Sequence, residues 1–255
     1  LLISTVDDDG NTTCGAYSLC FPYYIAGKDY YAMILECRNS SNTAQNLLKR
    51  GKCAINFLED APSNFKEIVR LGFPGQTSKE KMAKCPLKME KGLAEGKNRP
   101  LVLSDAYQVF ECTWDDTLEG ATRDKERVNQ LEGVEPPYNN FNGITSKFGA
   151  HFILKVDKIL MKTKYRNAII NGVKAKDFPN LPVDYGYRDS KNFWFHKKTR
   201  LRAELLPVRK ASLASVRYAA DRADDKVKFT DDALETILNV PRVFLPVALK
   251  GCVSW

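Results

Sequence analysis

Residues 38–58 read RNSSNTAQNLLKRGKCAINFL, and the order of signals in this run decides the fold. Arg38-Asn39-Ser40-Ser41 closes an apolar stretch with amides, hydroxyls and one guanidinium. Ser41 or Asn42 then supplies an N-cap, Ala44, Leu47 and Leu48 recur at helical spacing, and Gly51 terminates, which predicts a helix over 42–50. Gly51–Leu58 returns as a strand. A strand that ends in Ser, Asn, Thr and Arg and opens a helix suits an anion, because helix-start N–H groups and a guanidinium converge on phosphate oxygens. The same residues also suit a helix that is simply well capped, and the sequence leaves both readings open.

Working outward, Leu1–Val6 reads as a strand, Asp7-Asp8-Asp9-Gly10-Asn11 as a hairpin loop, Thr12–Leu19 as the returning strand and Asp29–Cys37 as a buried strand. Residues 62–100 read as mostly helical and amphipathic, with Phe65, Ile68, Val69, Met82, Leu87 and Met89 among lysines. Strands follow at Leu101–Trp114 and Ala150–Met161, separated by a Pro, Gly and Asn-rich surface excursion over 115–148. Residues 177–202, rich in proline, aromatic and basic residues without periodicity, should cross a surface. Helices are predicted at 211–223, at 231–240 behind a Thr230 cap, and at 242–255. The expected organisation is a strand-rich domain over 1–165, a basic and aromatic strap over 166–210, and a small helical C-terminal module over 211–255.

With 44% hydrophobic and 27% charged residues, the 255-residue chain has material for a packed core. The net charge of +8 is local, since residues 161–202 hold 11 basic and 3 acidic side chains. Within that stretch, 185–202 suits single-stranded nucleic acid, an anionic cosubstrate such as a dinucleotide, or a solvated strap. No RNP-like or helix-turn-helix signal supports nucleic acid. Seven widely spaced cysteines without a C-x-x-C pair argue against a disulfide framework, so the cytoplasm is the expected compartment. No run of about 18 apolar residues suggests a membrane span. Two histidines, His151 and His196, without carboxylates at ligand spacing give no metal site. His151 reads either as a barrel-rim residue or as a ligand contact. His196 reads as part of an aromatic strap, or as a stacking or proton-shuttling group.

Leu2–Leu58 resembles the first half of the flavin reductase-like group of FMN-binding split barrels. The match runs through LLISTV, the acidic-glycine hairpin, CGAYSL, a further strand, the Ser/Thr/Asn loop with Thr43 and Asn46, and a strand ending near Ala54-Ile55-Asn56. Gly75-Gln76-Thr77-Ser78 with Lys81 is similar to the loop and lysine before that family's cap helix. Gly149-Ala150-His151 is similar to its Gly-Asp-His, with alanine in place of the acid. The resemblance implies a mainly β fold with helices, a six-stranded antiparallel split barrel that forms a homodimer with FMN at the subunit interface. Carried over residue by residue, it implies that Ser40, Ser41 and Thr43 bind phosphate with help from Arg38 and Asn46. Backbone around Ala16, Tyr17 and Ser18 would touch the isoalloxazine ring, and Lys81 and His151 would fall on the phosphate or nicotinamide side.

The implied activity is transfer of hydride or electrons from NADH, NADPH or a redox partner protein, through FMN, to flavin or another acceptor. A non-enzymatic flavin carrier that docks to a redox partner, and a split barrel that has exchanged flavin for haem, are the competing expectations. Phe229-Thr230-Asp231-Asp232-Ala233-Leu234 with Val240-Pro241 resembles the helical module at the end of the protochlorophyllide reductase B-type subunit. That implies either docking to an electron-transfer partner or simple packing on the barrel. The cysteines on strands, Cys14, Cys20, Cys37 and Cys53, are expected to be buried structural thiols.

Overall fold

The computed structural model describes residues 1–59, 61–72, 76–118, 121–124, 141–171, 187–188, 193–194, 212–221, 223–224, 226–241 and 244–254. Its barrel is built from β1 (Leu2–Val6), β2 (Thr12–Ala16), β3 (Cys20–Tyr23), β4 (Ala32–Arg38), β5 (Lys52–Phe57), β8 (Gln108–Trp114) and β11 (Gly149–Met161). The short strands β6 (Met89–Glu90) and β7 (Val102–Leu103) pair with each other outside it. β1 pairs with β2 and β5, β5 with β8, β8 with β11, β11 with β4, and β4 with β3, all antiparallel. β2 and β3 are one run of chain bent at 17–19. Counted as a single strand, they pair with β1 through β2 and with β4 through β3, so the pairing closes on six strands. This is the six-stranded antiparallel barrel that the sequence led us to expect.

Side-chain alternation fills the interior with Ile3, Leu35, Ile55, Trp114, Phe152 and Leu154. Helix α1 (Asn42–Arg50) closes one end by inserting Ala44 and Leu47. A second layer lies outside β1, β5 and β8, where Leu2, Ala54 and Val109 are covered by Leu58, Leu71, Val102 and Leu103. β1 is therefore buried along its whole length. In that outer layer, Asn56 donates to Ser4 Oγ (2.7 Å) and accepts from the Leu103 N–H (2.8 Å), which pins β7 to the barrel.

Several expected boundaries move. Between 62 and 100, helix among the described residues is confined to α2 (Pro62–Leu71) and α3 (Ser78–Met82). Beyond it, Cys85, Leu87 and Met89 recur every second residue, the spacing of extended chain, and pack on the outer layer. The expected strand over 101–114 is broken by a turn between β7 and β8. The excursion over 115–148 contributes to the sheet through β9 (Ala121–Thr122) and β10 (Asn142–Ile144), a parallel pair attached to β11. β10 is buried because Asn142 Oδ1 accepts from Trp114 Nε1 (2.7 Å) and the Ile153 N–H (3.1 Å). Residues 125–140 lie outside the described residues.

Helix α4 (Thr163–Asn171) runs across the expected boundary at 165, and its Tyr165 packs edge-on against Tyr107. Most of the strap, His196 included, lies outside the described residues; the exception is the pairing of β12 (Tyr187–Arg188) with β13 (Phe193–Trp194). The helical C-terminal segment is present as α5 (Leu213–Ala220), α6 (Asp231–Leu238) and α7 (Leu245–Val253), around a core of Val216, Ala220, Leu234, Ile237 and Leu249. Thr230 caps α6, as expected. Among the described residues no helix is long and apolar enough to cross a membrane.

Candidate functional site

The loop from β4 to α1 is held open by its own amides. Asn39 is buried and donates to the carbonyls of Ser146 (3.2 Å) and Lys147 (2.8 Å), while Gln45 donates to the Asn39 carbonyl (2.6 Å). Ser41 caps α1, its Oγ accepting from the Ala44 N–H (3.1 Å), and Gly51 ends the helix in the left-handed region at φ 66°. The first-turn N–H groups of Asn42 and Thr43 have no acceptor within the helix and point out of its start.

In front of that start, α1, β2, α2 and α3 enclose a cleft of about 650 Å³, counting its open mouth. Arg38, Ser40, Ser41, Asn42 and Thr43 line one side and Thr13 to Tyr17 the other. Leu71, Gly72, Gln76 and Lys81 form the floor, with Tyr218 at the edge. Arg38 and Lys81 give it positive charge, and no acidic side chain is among these residues. Asn42 donates to the Gln76 carbonyl (3.2 Å), tying the helix start to the approach to α3, and Lys81 Nζ donates to the carbonyl of Leu71 at the end of α2 (3.1 Å).

Gly15 is required where it stands. A Cβ there would lie 2.8 Å from Thr43 Oγ1 and 2.8 Å from the Tyr17 ring, so only glycine lets β2 approach α1 this closely. Tyr17 Oη donates to Ser41 Oγ (3.2 Å), and burial pushes its phenol up to about 12 against the pull of Ser41 and Thr43, so it remains a neutral donor. Leu1 and Tyr17 bond to each other in both directions, at 3.1 and 3.3 Å. Alternation along an antiparallel pair then turns the Cys14 and Ala16 backbone groups away from β1, toward the cleft side of β2. Thr13, a residue of the cleft lining, is 1% exposed, and its Oγ1 is buried without a protein partner. A buried hydroxyl without a partner is costly unless something else satisfies it.

Of the residues named from sequence, Ala16, Tyr17, Arg38, Ser40, Ser41, Thr43 and Lys81 converge on this cleft. Three do not. Ser18 is exposed at the bend before β3. Asn46, three residues beyond Thr43, faces the barrel, where its amide donates to Thr5 Oγ1 (3.0 Å). His151 sits on the outer face of β11, in register with Glu36, with Phe141 edge-on at 5.3 Å. Its Nδ1 is buried without a partner, and burial lowers its pKa against the opposing charge of Glu36. Gly75 lies outside the described residues.

Four lining residues, Thr13, Leu71, Gly72 and Tyr218, were missed from sequence. Thr13 shares a strand face with Gly15 and was legible from period-two spacing. Tyr218 comes from α5, remote in sequence, and carries no local signal. All seven cysteines are free, and burial pushes Cys14, Cys20 and Cys37 up to about 12, which leaves them protonated and unreactive. Among the described residues no cluster of His, Cys, Asp and Glu could hold a metal.

No protein-family model matches the sequence, and no curated protein matches it. Solved structures similar to it include flavin reductases, a flavoredoxin and a nitroreductase. The 2-nitrobenzoate 2-nitroreductase NbaA of Pseudomonas fluorescens is 13% identical over 81% of this chain and 85% of that one, with a TM-score of 0.44. Flavoredoxin from Methanosarcina acetivorans is 14% identical over 64% and 68%, at 0.43. The styrene monooxygenase flavin reductase of Pseudomonas putida S12 is 10% identical over 63% and 78%, at 0.42. Similarity at this level leaves the chemistry to be read from the cleft.

Proposed function

We propose that this chain is a flavin-binding oxidoreductase of the flavin reductase-like kind, with the FMN phosphate held at the start of α1. The observation that carries this reading is the convergence of Arg38, Ser40, Ser41, Thr43 and Lys81 on one cleft without an acidic neighbour. The donor set suits a phosphate monoester. Helix-start N–H groups, hydroxyls and two cations supply charge-assisted hydrogen bonds, and the Thr13 hydroxyl supplies a further group in need of a partner. Gly15 leaves β2 without a side chain at the point where it meets Thr43, and the outward backbone of Cys14 and Ala16 supplies donors and acceptors for the edge of a flat heterocycle.

Bound FMN would supply hydride and electron transfer between a nicotinamide donor, NADH or NADPH, and flavin or another acceptor. The chain's part is to bind, orient and place positive charge beside the phosphate, while Tyr17 donates as a neutral phenol. The outer wall of the barrel favours a homodimer, because Tyr24 and Tyr31 are 87% and 80% exposed and Phe21 and Phe141 are exposed as well. Free, mostly buried thiols suit the cytoplasm.

The test is a titration of the purified protein with FMN and with riboflavin, which lacks the phosphate, followed by flavin absorbance and fluorescence. FMN should bind about 1,000-fold more tightly than riboflavin. Flavin spectra that do not change overturn the reading. Steady-state oxidation of NADH or NADPH with free FMN then separates a reductase, which turns over, from a carrier, which binds and does not.

A further inference from the structure

Arg38 is the cation best placed to meet an anion in the cleft, yet its position is not set by an ion pair. Among the described residues no carboxylate bridges it. Its guanidinium carbon lies instead 4.5 Å from the centroid of the Tyr218 ring. Tyr218 belongs to α5, within the C-terminal helices that carry their own apolar core, and it lines the same cleft as Gly15 and Thr43. The contact therefore joins two parts of the molecule with separate cores at the mouth of the site.

A guanidinium held over an aromatic ring by cation–π attraction keeps its charge, which an ion pair would cancel, and its N–H groups can grip a phosphate in bidentate fashion. A carboxylate partner would have consumed the same groups and cancelled the charge. The ring instead restricts the rotamer freedom of a long side chain and leaves its donors for a ligand, which lowers the ordering cost of binding.

We infer that Tyr218 is a positioning residue for anion binding: it holds Arg38 in the orientation that grips the ligand's phosphate, so the C-terminal helices complete the site. This deepens the flavin reading and rests on it for the identity of the ligand. It predicts that an alteration remote from the barrel acts on the phosphate end of the ligand alone. It also makes the coupling reciprocal, so that a phosphate-bearing ligand favours the docked position of α5.

The experiment is a double-mutant cycle on the full chain with Tyr218→Ala, Tyr218→Phe and Arg38→Met, each titrated with FMN and with riboflavin after circular dichroism has confirmed the fold. Tyr218→Ala should weaken FMN by about 5-fold while leaving riboflavin unchanged, and Tyr218→Phe, which keeps the ring face, should stay within about 2-fold of the parent. In the Arg38→Met background Tyr218→Ala should add nothing. Equal losses for FMN and riboflavin, additive losses in the two variants, or unchanged FMN binding in Tyr218→Ala would each overturn the inference. If the parent binds no flavin, the flavin reading fails. The same variants titrated with inorganic phosphate then decide the role of Tyr218 by themselves: weaker binding in Tyr218→Ala alone upholds it, and binding that is absent or equal in all removes it.

Discussion

The barrel has two kinds of wall. Around β1, β5 and β8 the chain covers its own outer face with α2 and the residues up to β7, so that Leu2, Ala54 and Val109 are as buried as the interior. Around β3 and β4 the cover is thinner. Ala32, Ile34 and Ile153 lie beneath Tyr23, Ile25, Tyr30 and Leu118, and the aromatic residues beyond them, Phe21, Tyr24 and Tyr31, are exposed. One wall is finished by its own sequence and the other presents rings outward. The candidate cleft borders the finished side, where α2 and α3 meet β2, with Cys14, Gly15, Thr43 and Leu71 buried in its lining and Ser40 and Gly72 exposed.

The comparison is tested most severely at the core. Phe152, fully buried and edge-on to Trp114 at 5.2 Å, packs against both walls from inside, and Phe152→Ala should cost about 3–5 kcal/mol in urea unfolding. On the open wall Tyr31→Ser should move the unfolding free energy of the monomer by no more than about 0.5 kcal/mol. The same change should weaken self-association in sedimentation equilibrium. Equal stability costs at the two positions would mean that the open wall is packed by this chain after all.

At the cleft, Ser41→Ala with Thr43→Ala should weaken FMN binding by about 2–4 kcal/mol through two lost hydrogen bonds to a charged group. Ser41→Ala alone should also cost about 1 kcal/mol of stability, because the same oxygen caps α1. Unchanged binding in the pair removes the phosphate assignment and leaves the run over 38–46 as a capped helix. Gly15→Ala pushes a methyl toward Thr43 Oγ1 and the Tyr17 ring and should destabilise by about 1–3 kcal/mol, with loss of flavin binding. A variant as stable as the parent would show that β2 and α1 can separate without penalty.

How much of this was legible depended on whether a segment's signals were local. Helix α1 was read with its observed bounds because cap, period and terminator all lie in or next to it. β1 and the acidic hairpin were equally plain. The bend at 17–19 carries neither Gly nor Pro, so the returning strand was read straight through it to Leu19, β3 beyond it was not read as strand, and the closure of the barrel through that bend was invisible. The lysines between Met82 and Lys97 masked an extended segment whose apolar residues alternate. β10 is three residues whose burial depends on what Asn142 satisfies across space. In the site, the chemistry of the loop was legible, but the direction of Asn46 follows from where α1 seats on the barrel, and Tyr218 is brought in by tertiary docking alone.

The smallest predicted effect concerns the border of the open wall. His151 is half-buried beside Phe141, and burial holds its imidazole below the ordinary value, opposed by Glu36. The folded chain therefore binds a proton less readily than the unfolded chain, whose histidines titrate near about 6.5. Stability should fall as pH drops through that value and level off below the folded pKa, since protons favour the state that binds more of them. His151→Phe removes this dependence, so parent and variant should converge above about pH 7.5 in their response to pH and diverge on acidification, with the parent losing more. Urea unfolding at pH 5, 6, 7 and 8 measures it. If a second copy covers this wall, the same acidification should loosen the dimer in the parent and spare the variant; a parent whose stability and association are flat across that range would show that the ring is as well solvated folded as unfolded.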